Sequence, residues 1–153
     1  FLGVNRSKRG LVLDLKTDRG QAALRELVAA ADILVHNFRP GVPERLGIDH
    51  ARLDTLNPRL IYCAVTGYGE DGPMRGKAGY DQVLQAMTGM CVLQGQPGAP
   101  ELTYGSPVDY YAAALVAAGV ASALYERERS GKGQYVGVSL LRSALTMQSA
   151  RMI

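Results

Sequence analysis

Asp109 closes the segment Tyr104-Gly105-Ser106-Pro107-Val108-Asp109. It stands at the mouth of an alanine-rich stretch that runs to about Arg129 and stops at Ser130-Gly131-Lys132-Gly133-Gln134. A carboxylate in the first turn of a helix faces the positive end of the helix dipole, which favours its ionised form. In a site that excludes water, an ionised carboxylate can attack an activated acyl group and form a mixed anhydride. The competing reading is structural, because an aspartate near a helix N-terminus also caps free backbone N–H groups. Spacing alone leaves both readings open.

Other chemistries find less support. The chain has no G-x-G-x-x-G and no G-x-x-x-x-G-K-[ST], so a dinucleotide fingerprint or a phosphate-cradling loop is not indicated. Gly131-Lys132-Gly133 reads as a helix C-cap and turn. Cys63 and Cys91 are far apart in apolar surroundings, with no C-x-x-C pair and no histidine at zinc-finger spacing. Both read as reduced core cysteines of a cytosolic protein, and no metal is expected. His36 and His50 read as structural or surface residues.

The elements that must position Asp109 follow from pattern. The 153 residues are 47% hydrophobic and 20% charged, the balance of a soluble globular chain with room for one core. The net charge of +3 is spread along the chain rather than gathered in a basic stripe with interleaved aromatics. That argues against nucleic acid and fits an anionic small ligand. The apolar run over residues 112–124 is too short to span a membrane and reads as a buried core helix, so no membrane partner is expected.

Residues 10–15 alternate as a short strand. Thr17 and Asp18 are N-cap candidates for a helix to about Ala31, with Ala22, Leu24, Leu27 and Val28 on its buried side. Residues 32–36 form a strand, 37–41 a loop broken by Pro40 and Gly41, and 43–46 a helical turn. Asp49 caps a short helix to Leu56, and residues 60–65 form the clearest strand. Residues 67–79 form a glycine-rich mobile loop, 80–90 a helix, 94–100 a turn-rich loop, 135–139 a strand, and a helix begins at Leu140. Alternating strands and helices argue an α/β fold, a Rossmann-like parallel sheet with helices on both faces. In such sheets ligands bind beyond the C-terminal ends of the strands. Asn37-Phe38-Arg39 and Thr66-Gly67-Tyr68-Gly69 both follow strand ends.

Several segments together carry a resemblance. They are Asn5-Arg6-Ser7-Lys8-Arg9-Gly10 with Leu13-Asp14-Leu15-Lys16, Ala31-Asp32-Ile33-Leu34-Val35-His36-Asn37-Phe38-Arg39-Pro40-Gly41 and Leu56-Asn57-Pro58-Arg59-Leu60-Ile61-Tyr62. Thr66-Gly67-Tyr68-Gly69, Gly79-Tyr80-Asp81-Gln82, Asp109 and Gly131-Lys132-Gly133-Gln134 complete the set. In order and spacing the chain resembles the class III CoA-transferases, the family of formyl-CoA and carnitine CoA-transferases that also holds the α-methylacyl-CoA racemases. The resemblance implies a CoA-transferase acting on an acyl-CoA and a small carboxylic acid, with Asp109 as covalent nucleophile and coenzyme A as co-substrate. It implies CoA contacts from Leu13, Asp14, Leu15 and Lys16, from Asn37, Phe38 and Arg39, from Arg45, and from Lys77, Ala78, Gly79 and Tyr80. It also implies an interlocked homodimer of cytoplasmic enzyme. The family's chains are considerably longer, so residues 1–153 are expected to be one partial domain, most of the large CoA-binding α/β domain, without its N-terminal start or the small domain.

Tyr80 separates activities within that resemblance. Racemases carry a histidine at the matching position, whereas a phenol of pKa about 10 is a poor base near neutral pH. Three rivals therefore stand behind the transferase: a racemase, opposed by Tyr80; a non-catalytic CoA-binding subunit, opposed by Asp109; and an α/β oxidoreductase, opposed by the missing glycine fingerprint.

Overall fold

A computed structural model describes residues 2–151, all but Phe1 and the last two residues, with the side chains of Leu2 and Arg151 also outside the description. Three strands, β1 (Ile33–His36), β2 (Ile61–Thr66) and β3 (Gln134–Ser139), form a parallel sheet in the order β1-β2-β3. The register pairs Ile33 with Ile61 and Ile61 with Gln134. β2 is the central strand and is buried almost throughout, which is why its sequence is apolar without interruption. Its alternate side chains serve two cores. Tyr62 and Ala64 face one way with Tyr135, Leu34 and Leu60. Ile61 and Cys63 face the other way with Val136.

The first face is covered by α1 (Asp18–Ala30) and α3 (His50–Leu56), which contribute Val28 and Leu53. Thr17 caps α1 by accepting from the Gly20 N–H at 3.1 Å, and Asp49 caps α3 by accepting from the Arg52 N–H at 3.2 Å. The short α2 (Val42–Leu46) precedes α3. The second face is covered by α6 (Pro107–Ser130), through Val120 and Ala123. Gly131, at φ +75°, ends α6 in the left-handed conformation expected of a glycine C-cap. A third core, at the C-terminal end of the sheet, joins α4 (Asp81–Met87), α5 (Met90–Gln94), the start of α6 and α7 (Leu140–Met147) through Leu84, Met90, Val108 and Ala144. The expected α/β architecture with helices on both faces is therefore present.

Four local expectations need correction. Residues 10–15 are not a strand: no partner strand lies beside them among the described residues, and Leu11 and Val12 are exposed. On α1, Ala22 and Leu27 face outward, and Gly20 is buried instead because its Cα packs against the Asp14 carbonyl. The helix expected over residues 80–90 breaks at Gly89, whose φ of +79° ends one helix and opens α5, which takes in Gln94. The stretch 112–124 is buried along one stripe only. Val120 and Ala123 face the sheet, Val108 and Ala112 enter the third core, Arg127 is buried at the far end, and Ala113, Ala114, Ala117 and Ala118 are exposed. α6 is long and apolar enough to cross a membrane by length and composition, with 22% of its most apolar window buried. Alanine carries little information about burial, since it suits helix in either setting.

Candidate active site

The strands β1 and β2 end on the same rim, and the loops beyond them bound one cavity of about 400 Å³. From β1 come Asn37, Phe38, Arg39 and Pro40. From the end of β2 and just beyond come Val65, Thr66 and Gly67. The chain then leaves in a long excursion and returns to the same place. A Cβ on Gly67 would lie 2.7 Å from the Cα of Gly79, and one on Gly79 would lie 2.6 Å from the Cα of Gly67. The two ends of the glycine-rich loop are thus pressed backbone to backbone, a contact that only glycine permits on both sides. That contact delivers Lys77, Ala78, Gly79 and Tyr80 to the cavity, followed by Asp81 and Gln82 at the start of α4. Asp109 from α6 and Leu140 from α7 complete the wall.

Eight residues singled out in the sequence therefore meet at one cavity: Asn37, Phe38, Arg39, Lys77, Ala78, Gly79, Tyr80 and Asp109. Five others lie outside it. Asp14 and Lys16 form an exposed turn before α1, in which the Asp14 Oδ1 accepts from the Lys16 N–H at 3.0 Å. Leu15 packs beside the α1–α3 core, and Leu13 is half-buried. Arg45 is exposed on α2, its guanidinium beside Gly41.

Asp109 sits where two spaces meet. One is the polar cavity. The other is a more apolar cleft of about 420 Å³ that Asp109 lines with Val35, Val65, Ala112, Val116 and Leu140, and with His36 and Asn37 at the end of β1. The structural alternative for Asp109 was that it caps its helix, and the geometry assigns that task elsewhere. Ser106, the N-cap residue, makes no side-chain cap bond. The buried carboxylate of Asp81 reaches across from α4 instead, its Oδ2 accepting from the Asp109 N–H at 3.0 Å. The Asp109 carboxylate is left without a hydrogen bond or ion pair among the described residues.

The electrostatics also differ from expectation. The helix end favours the ionised form, but partial burial and the neighbouring Asp81 charge work against it, and the Asp109 pKa is raised above its ordinary value. No group of three or more His, Cys, Asp or Glu side chains able to hold a metal ion occurs among the described residues.

His36 and His50 lie among aromatic rings, and His36 also lines the cleft beside Asp109. They pack edge-on to Tyr62 at ring-centroid distances of 5.1 and 5.4 Å. The His36 Nδ1 accepts from the Phe38 N–H at 3.1 Å and so shapes the β1 side of the cavity. Burial holds the His36 pKa below its ordinary value. Cys63 and Cys91 are free and buried. Sequence reasoning assigned no role to Asp81, although Gly79-Tyr80-Asp81-Gln82 stood out as a motif. An aspartate opening a short helix reads locally as a cap, and its actual partner lies 28 residues further along.

Comparison with known proteins agrees with this geometry. The family model described as CoA-transferase family III matches residues 1–153. The chain is 42% identical over 147 residues to the acetyl-CoA:oxalate CoA-transferase of Acetobacter aceti, covering 95% of this chain and 38% of that protein. It is 39% identical over 142 residues to the succinate–glutarate CoA-transferase of Agrobacterium fabrum (strain C58 / ATCC 33970), covering 92% of this chain and 36% of that protein. The crystal structure of a CAIB/BAIF family protein from Brucella suis superimposes with a TM-score of 0.89 at 35% identity, over 94% of this chain and 39% of the other. The chain thus spans well under half the length of these relatives. With the fold, the cavity and a match along its whole length in agreement, the chain belongs to CoA-transferase family III.

Proposed function

We propose that a full-length protein containing this chain transfers coenzyme A from an acyl-CoA to a small carboxylic acid, with Asp109 as the covalent nucleophile. One observation carries the reading: an unpartnered carboxylate in the first turn of α6 opens onto a cavity that also presents Arg39 and Lys77. An Asp109 oxygen attacks the thioester carbonyl, the C–S bond breaks, and CoA leaves as thiolate. The product is an acyl-aspartyl anhydride. The thiolate attacks the aspartyl carbonyl, the anhydride C–O bond breaks, and the donor acid departs, leaving an aspartyl-CoA thioester. The acceptor carboxylate attacks that thioester and expels the thiolate again. The thiolate then attacks the acceptor's acyl carbon, giving the new acyl-CoA and restoring Asp109. One thioester replaces another, so the net driving force is small and the demand on the protein is to exclude water from the two anhydrides and the thioester between them. The loop of residues 67–79 borders the cavity and suits that role.

Arg39 and Lys77 are the cations for the CoA phosphates, with Asn37, Phe38, Ala78, Gly79 and Tyr80 along the rest of the cofactor. Leu13, Asp14, Leu15, Lys16 and Arg45, outside the cavity, extend the contact surface toward the nucleotide end. The apolar cleft beside Asp109 takes the acyl group. The working form is an interlocked cytoplasmic homodimer, and this chain is most of its large domain.

The test is chemical trapping. Full-length protein incubated with an acyl-CoA and hydroxylamine is expected to yield a hydroxamate on Asp109, read by mass spectrometry. Asp109→Ala is expected to lose the adduct and to lower turnover by at least about a thousandfold. Exchange of the substrate α-proton with deuterated solvent, and no adduct, would instead make the protein a racemase.

A further inference from the structure

Behind Asp109 lies a largely buried polar chain that meets the cavity only through Asp81. Gln85 is fully buried, and Asp81 is 3% exposed. Four residues apart on α4, they share one face of the helix. The Gln85 Oε1 accepts from the Thr103 N–H at 2.8 Å, and its Nε2 donates to the Thr103 carbonyl at 3.4 Å and to the Asp81 Oδ1. The other Asp81 oxygen accepts from the Asp109 N–H. Because the Gln85 oxygen is committed to an N–H, its nitrogen must face Asp81, so the amide can take only one orientation. Thr103 belongs to the segment leading into α6. The chain therefore fixes both that segment and the first turn of the helix, where Ser106 supplies no side-chain cap. An apolar pair would fill this part of the core without the cost of burying a carboxylate, so stability alone does not account for the arrangement.

We propose that Gln85, acting through Asp81, is a positioning residue for Asp109: the buried Thr103–Gln85–Asp81 relay sets where the Asp109 carboxylate points and holds a negative charge behind it. This rests on the reading of Asp109 as nucleophile. Burial raises the Asp109 pKa and the Asp81 charge raises it further, which makes its carboxylate a more basic attacking group once ionised. The other titratable or charged groups lining the two spaces that Asp109 adjoins are Lys77 and Tyr80 from the loop before α4, Arg39 from the loop after β1 and His36 at the end of β1, and Asn37, Thr66 and Gln82 add uncharged polar groups. α7 contributes only Leu140 there.

The experiment uses the full-length enzyme and begins with the hydroxylamine adduct on wild type. Turnover is then measured across pH for Gln85→Met, Asp81→Asn and the double variant, with a thermal melt to establish folding. Each single variant is expected to lose about tenfold in kcat while KM for acyl-CoA moves less than about twofold, as for an interaction that orients rather than binds. In Asp81→Asn the acid limb of kcat is expected to move to lower pH, which a merely structural role would not produce. The double variant is expected to be no slower than the slower single, because both act on one relay. An acid limb unmoved in Asp81→Asn, or losses that multiply in the double variant, overturns the relay. Should Asp81→Asn fail to fold, Gln85→Met decides: a fall in kcat at constant KM supports the relay, and unchanged kcat overturns it. A wild type that yields no adduct sinks the nucleophile reading and the relay together. A wild type that yields the adduct, beside an unmoved acid limb, sinks the relay alone.

Discussion

At the scale of single residues, the site depends on which side chain is left free. A carboxylate at a helix start has two possible uses, and here two aspartates divide them. Asp81 takes the capping bond, and Asp109 keeps both oxygens available. Tyr80 lines the same cavity with a phenol, a poor base near neutral pH. His36 acts one step further back, by holding the Phe38 N–H through its neutral Nδ1. Burial lowers its pKa below the ordinary 6.5, although Glu70 and Glu44 pull the other way. The folded state therefore binds fewer protons than the unfolded chain just below pH 6.5. By linkage, stability falls as pH drops through that value and is fully present above it. Protonation of Nδ1 also removes the acceptor for Phe38. Thermal melts between about pH 8 and pH 5 are expected to show this loss. His36→Asn, which keeps a neutral acceptor near the Nδ1 position, is expected to flatten the slope in that window. An unchanged slope would assign the pH dependence to other groups.

At the scale of elements, the decisive junction is the one between the exit of β2 and the start of α4. Gly67 and Gly79 touch through their backbones, and the Gly67 carbonyl also accepts from the Leu141 N–H of α7 at 2.9 Å. Gly67→Ala places a methyl group 2.7 Å from the Gly79 Cα, where no side chain can rotate away. It is expected to cost about 1–3 kcal/mol by overpacking and to raise KM for acyl-CoA, since it pries apart two walls of the cavity. Gly76 lies in the same loop with nothing within 4 Å of its Cβ position and no positive φ. Gly76→Ala is the matched control and is expected to stay within about 0.5 kcal/mol of wild type, with KM unchanged. Denaturant titration and steady-state kinetics on both variants check the contrast.

Much of the rest of this scale was legible beforehand. Thr17, Asp49 and Gly131 marked helix ends by local chemistry alone, and the apolar run of β2 marked a central parallel strand. Residues 10–15 misled because alternation speaks only of a side chain's two faces, while a strand needs a neighbour. α6 misled because alanine reads the same on a buried stripe and on an exposed face. The Gln85–Thr103 and Asp81–Asp109 bonds left no local mark at all, since each joins residues far apart in the chain.

At the scale of the whole molecule, the two ends of the sheet do different work. The cavity lies beyond the C-terminal ends of β1 and β2, where the loops are shaped by long-range contacts. The opposite end is held by Arg127, in the last turns of α6 and 6% exposed. Its guanidinium donates to the Arg59 carbonyl at 3.0 Å, just before β2, and to the Asp32 carbonyl at 3.4 Å and Oδ1 at 2.9 Å, just before β1. One side chain thus ties the helix on one face to the starts of two adjacent strands. The Asp32 carboxylate is 75% exposed, so its ion pair contributes little. The bond to the Arg59 carbonyl matters more, because the Asp32 carbonyl also accepts from the Ile61 N–H at 2.9 Å, whereas Arg127 is the donor to Arg59. Arg127→Leu is expected to lower stability by about 1–2 kcal/mol, from the Arg59 carbonyl left without its donor and the lost tie to the Asp32 carbonyl. Because the staple and Asp109 sit at opposite ends of α6, the same variant is expected to keep wild-type kcat and KM wherever it is folded. Denaturant titration reads the first effect and steady-state kinetics the second. A fall in kcat at temperatures where Arg127→Leu is fully folded would mean that the two ends of the sheet are coupled, and that the helix transmits strain from its staple to Asp109.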